Sequence, residues 1–130
     1  MSLLSRRLAT LTLGVLLVIA VVSIPSLATQ VVRHDSKVTI SEKFPAFHGR
    51  VKSDVHPCVQ QRKVKLFQAK RHRPDKFLGR DHTNNHGHWQ VKVNRLKSGG
   101  YYAKVTRRSE GAAGTIHICR SDRSRVVPVD

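Results

Sequence analysis

Thr83-Asn84-Asn85-His86-Gly87-His88-Trp89-Gln90-Val91-Lys92-Val93 runs through Asn94-Arg95-Leu96-Lys97-Ser98-Gly99-Gly100 into Tyr101-Tyr102-Ala103-Lys104-Val105, two period-two alternations around a polar, glycine-bearing connection. Trp89, Val91 and Val93 alternate with His88, Gln90 and Lys92. Tyr101, Ala103 and Val105 alternate with Tyr102, Lys104 and Thr106. Successive strand side chains point to opposite faces, so each run reads as a strand with one buried face.

Working outward, the same reading extends over the chain. Val38-Thr39-Ile40 is short and β-branched, and Phe47, Gly49 and Val51 share one face of the next run. Val64 and Leu66 face in while Lys63 and Lys65 face out; Phe67 breaks this rhythm and points to a second, smaller apolar contact or an edge. Phe77–Thr83, Thr115–Cys119 and Arg125–Val129 complete a set of about eight short strands, with no helical period after Thr29. The pattern predicts an all-β fold, a single sandwich. The Ser98-Gly99-Gly100 and Gly111–Gly114 stretches are turns or loops, where glycine relieves the cost of positive φ.

A chain of 130 residues has room for one such domain. Ahead of it, Arg6 and Arg7 precede an uncharged run from Leu8 to Ile24, closed by Pro25-Ser26-Leu27-Ala28. These are the parts of a secretory signal helix over residues 1–28, cleaved after Ala28. An uncleaved anchor is the alternative, and it too leaves the rest outside the cytoplasm. Residues 29–37 read as a flexible amino-terminal arm or an edge strand, and 38–130 as the sandwich. The expected location is secreted or cell-envelope associated.

Cys58 and Cys119 are the only cysteines. An even count in an exported chain points to one disulfide between them, with two buried free thiols as the alternative.

Lys and Arg outnumber Asp and Glu by 24 to 8, a net charge of +16. Such an excess attracts polyanions at low ionic strength. Outward Lys63, Lys65, Lys92 and Lys104, with Lys70, Arg71, Arg73, Lys76 and Arg80, form the candidate basic sheet face and rim. On the plainer reading they only solubilise the sheet. No aromatic row for stacking bases is visible and the single Trp is assigned to the core, which disfavours nucleic acid as the partner. His82, His86 and His88 lie close enough to suggest imidazole ligation, but Asp81 is the only nearby carboxylate. They read instead as solvated loop histidines, with no metal or other cofactor implied. The carboxylates are scattered, and no nucleophile, base and orienting group occur together, so no catalytic residue is assigned and no small-molecule substrate follows.

Leu78-Gly79, Thr83, Gly87, Trp89, Gly99 and Tyr101 have a spacing that resembles the transthyretin-like, or carboxypeptidase regulatory-like, domain family, with Gly49-Arg50-Val51 and Val64-Lys65-Leu66 in the places of its earlier strands. The resemblance covers roughly Phe47 to Val105 and implies a Greek-key sandwich of seven to eight strands. Such domains serve secreted and surface proteins as accessory or binding modules. The matching residues are turn and core residues, so no active site carries over. The resulting expectation is a non-catalytic extracellular structural or binding module, whose partner is an anionic surface polymer or an extracellular protein. The alternative is a polyanion binder proper, engaging acidic wall polymer, glycan or nucleic acid through the basic face.

Overall fold

The computed structural model describes residues 21–23 and 28–130. The expected signal helix lies almost wholly outside the described residues. Among these no helix is long and apolar enough to cross a membrane.

The fold is an all-β sandwich, with a short 3-10 turn at His56–Cys58. In chain order the strands are β1 (Gln30–His34), β2 (Lys37–Val38), β3 (Ser41–Lys43), β4 (Ala46–Lys52), β5 (Lys63–Ala69) and β6 (Lys76–His82). Then come β7 (His88–Lys92), β8 (Gly99–Val105), β9 (Arg108–Ala112), β10 (Thr115–Cys119), β11 (Asp122–Arg123) and β12 (Val127–Val129). Each of the eight expected strands has a counterpart; β1, β3, β9 and β11 are additional short pairings.

One layer has the order β6-β5-β8, with β11 and β12 both paired to β8. The other is centred on β4, which pairs β2, β3 and β7. Val38, Ile40, Phe47, Val51, Trp89 and Val91 from this second layer meet Val64, Leu66, Tyr101, Ala103 and Val105 from the first. Phe47 stacks on Tyr101 with ring centroids 4.7 Å apart, joining the layers. Tyr101 also closes the preceding turn: its hydroxyl donates to the Lys97 carbonyl at 2.5 Å and accepts from the Lys97 N–H at 3.2 Å.

β2 and β3 hold one register against β4 and are interrupted only at Thr39–Ile40. There Thr39 Oγ1 accepts the Arg50 N–H, which frees the Thr39 carbonyl to take the Trp89 indole N–H at 3.2 Å. This crossing needs Gly49, because a Cβ there would lie 1.9 Å from that carbonyl oxygen. Thr83 and Gly87 are likewise structural. Thr83 Oγ1 accepts the Arg62 N–H and donates to the Val59 carbonyl. Gly87 has φ +81 and sits where a Cβ would be 2.4 Å from the Val51 oxygen.

A third small sheet has the order β1-β10-β9, with β1 parallel to β10. Of the two readings for 29–37, the structure has the edge strand. His34 is buried in it and hydrogen-bonds Asp54 at 2.9 Å through one ring nitrogen and His117 at 2.8 Å through the other.

Cys58 and Cys119 form a disulfide with Cα atoms 5.2 Å apart, tying the 3-10 turn to the end of β10. Beside it lies Arg62, wholly buried. Its guanidinium donates to Ser36 Oγ and to the carbonyls of Cys58, Thr106 and Arg120, and so joins four separate connections. No carboxylate is within ion-pair reach of it among the described residues. Burial, with Arg108 nearby, pushes its pKa down to about 10, so it remains a cation at neutral pH.

Candidate binding face

β5 lies between β6 and β8, and its alternation decides which side chains leave the core. Val64, Leu66 and Gln68 are buried; Lys63, Lys65 and Phe67 point to the outer face. Phe67 therefore keeps the alternation rather than breaking it, and the second apolar contact expected of it lies on the outside.

Register then aligns charges across the sheet. Lys65 is opposite Arg80 on β6 and opposite Lys104 on β8, and Lys104 is opposite Arg123 on β11. Arg80, Lys65, Lys104 and Arg123 thus form one rung of cations across four strands, at the sheet spacing of about 4.8 Å. None of the four makes an ion pair among the described residues. Like charges placed directly opposite each other destabilise a sheet, by roughly 0.2–1 kcal/mol per pair. Lys63, opposite His82, adds to the same face.

Two residues along the strands is a rung of aromatics. Phe67 is opposite Phe77 and Tyr102, with centroids 5.7 Å and 5.4 Å away. The outer face thus carries three aligned aromatics that the sequence did not reveal. The cause is a bulge: register slips between Leu66 and Phe67, leaving Leu78 without a ladder partner and setting Phe77 beside Phe67. The row is only partly open. Phe77 is 51% exposed, whereas Phe67 is half-buried and Tyr102 is buried beneath the Arg123 guanidinium, 3.7 Å from its ring centre.

The Tyr102 hydroxyl donates to Asp75, which also accepts the Lys70 N–H at 3.0 Å. The Tyr102 bond, then that N–H, hold the Asp75 carboxyl below its usual range, while burial and Asp75 raise the Tyr102 phenol. These bonds fix the loop that carries exposed Arg71 and Arg73 at the aromatic end of the face.

Lys92 belongs to the rim and not to this sheet face. It lies on β7, in the other layer, opposite Ala46. The free edges of β6 and β7 adjoin, bridged where Gln90 N–H donates to Asp81 at 2.8 Å. Lys92 and Lys76 thus line the same cleft at that edge.

His82, His86 and His88 are all exposed; His82 is on β6 and His88 on β7, with the His86 and His88 rings 6.5 Å apart. No group of three His, Cys, Asp or Glu that could hold a metal ion occurs among the described residues.

Sequence reasoning missed Arg62 and Arg123. Arg62 shares the parity of Val64 and Leu66, and that was the available signal. Arg123 joins the face through a two-residue strand that no periodicity announces. No family model, curated protein or solved structure matches the chain.

Proposed function

We propose that this chain is an exported, non-catalytic sandwich module of transthyretin-like type that binds an anionic polymer through the outer face of its β6-β5-β8-β11 layer. The observation that carries the reading is the rung of Arg80, Lys65, Lys104 and Arg123. A sheet that tolerates four cations in three directly opposed pairs gives up stability at that place, and an external polyanion removes the repulsion. Export is supported by the basic, apolar and small-residue sequence at the amino terminus and by the disulfide, which fits an oxidising compartment. The transthyretin-like reading is supported by the turn and core roles of Thr83, Gly87 and Trp89.

Chromatography on immobilised heparin tests the binding. The protein is expected to elute above physiological ionic strength, and Lys65→Glu with Lys104→Glu to elute much earlier. The slope of log K against log salt should fall by about one per cation lost. Elution of the parent at or below physiological ionic strength would refute the proposal, as would an equal shift from Lys52→Glu on the other layer.

A further inference from the structure

At the β6 edge the outer face turns into a cleft of about 420 Å³. Lys76, Lys92, Arg95 and Lys97 line it beside Phe77 and Tyr101, and no carboxylate is among its lining residues. Phe77 belongs both to the cleft and to the aromatic rung, so the two surfaces are continuous.

The volume suits one or two rings rather than a length of polymer. Its chemistry is divided between cations that would hold anionic substituents and apolar walls that would hold the face of a ring. A run of stacked bases needs successive free π-faces. Here only Phe77 offers one, since Phe67 is half-buried and Arg123 closes over Tyr102. The disulfide is also compatible with an oxidising, extracytoplasmic compartment, where surface glycans are met.

We infer that the cleft binds one or two units of an acidic polysaccharide, with the sugar ring against Phe77 and its sulfate or carboxylate groups on Lys76, Lys92, Arg95 and Lys97. The rest of the polymer crosses the cation rung, so the inference rests on the polyanion reading of the face. Lys76, Lys92, Arg95 and Lys97 are exposed, so replacing them removes charge without opening the core.

Calorimetric titration of the protein with a heparin-derived tetrasaccharide and with long heparin tests this. Lys92→Ala with Lys97→Ala is expected to weaken tetrasaccharide binding about tenfold or more at an unchanged melting temperature, and Phe77→Ala to weaken it as well. Lys65→Glu with Lys104→Glu should affect long heparin more than the tetrasaccharide. If long heparin binds but the tetrasaccharide does not, or binds regardless of Lys92 and Lys97, the cleft is refuted while the polyanion reading stands. Failure of long heparin to bind ends both. A short single-stranded oligonucleotide that binds more tightly than the tetrasaccharide, with the same dependence on Lys92 and Lys97, would overturn the glycan assignment.

Discussion

Arg62 donates to the carbonyl of Cys58 at 2.6 Å, so a buried cation is bonded to the backbone of a residue that is itself cross-linked to Cys119. The two devices converge on the same turn from opposite directions. Arg62→Ala would orphan the carbonyls of Cys58, Thr106 and Arg120 and leave a cavity. A loss of about 3–5 kcal/mol is expected, measured by urea denaturation. Arg62→Lys should recover only part of it, because an ammonium has three donors and no planar fork.

The disulfide spans a sequence separation of 61 residues. Chain-entropy reasoning assigns such a loop about 4 kcal/mol, and a domain of this size has a total stability of only about 5–15 kcal/mol. Reduction, or Cys58→Ser with Cys119→Ser, should lower the urea midpoint sharply. Alkylation of the unfolded protein should add mass only after reductant.

Lys65 has a cation on each side, so Lys65→Glu converts two opposed like-charged pairs into two opposite ones. The variant should be more stable than the parent by up to about 1 kcal/mol at low salt, and the gain should shrink as salt is added. Gained stability together with lost heparin retention would be the signature of a functional rung.

Glycine replacements should divide by their surroundings. Gly49→Ala and Gly87→Ala each place a Cβ against a backbone oxygen and should cost well over about 1 kcal/mol. Gly111→Ala meets nothing within 4 Å and should be nearly silent. In the β9–β10 hairpin, Ala113 at φ +48 precedes Gly114 at φ +80, the geometry of a type I′ turn, which favours Asn-Gly. Ala113→Asn is therefore expected to stabilise by up to about 1 kcal/mol in thermal denaturation.

Asp75 and Tyr102 give the fold two pH limits. The Asp75 pKa is depressed, so its contribution is present above the ordinary carboxylate value near 3.8 and is lost as pH falls below it. The Tyr102 pKa is raised, so its contribution is present below the ordinary value near 10 and is lost as pH rises above it. Asp75→Asn should flatten the acid limb of stability against pH. Tyr102→Phe should remove the phenol that titrates above the ordinary range in an ultraviolet titration.

The core was legible because period-two alternation directly reports burial: Trp89, Val91, Tyr101, Ala103 and Val105 all face in as their spacing requires. Outward parity also sorted Lys63, Lys65 and Lys104 correctly. Parity cannot give register, which depends on pairing between distant segments. That is why the alignment of Lys65 with Arg80, Arg123's place at the end of the rung and the layer that carries Lys92 were invisible. The aromatic rung was hidden for a related reason, since one bulged residue in β6 sets which face Phe77 takes. The parallel pairing of β1 was unreadable too, because that strand is polar and its partner is remote.

The His34–His117 bond, 83 residues apart in sequence, and the parallel pairing around it bear on the birth of the protein. At synthesis rates of about 5–20 residues per second, β1 emerges on the order of ten seconds before β10 exists to receive it. Through that interval the strand's polar backbone has only solvent or a chaperone to satisfy it. Completion of the third sheet thus waits until Thr115–Cys119 has been made, and a ribosome stalled before Thr115 would hold a chain whose first strand stays unmatched.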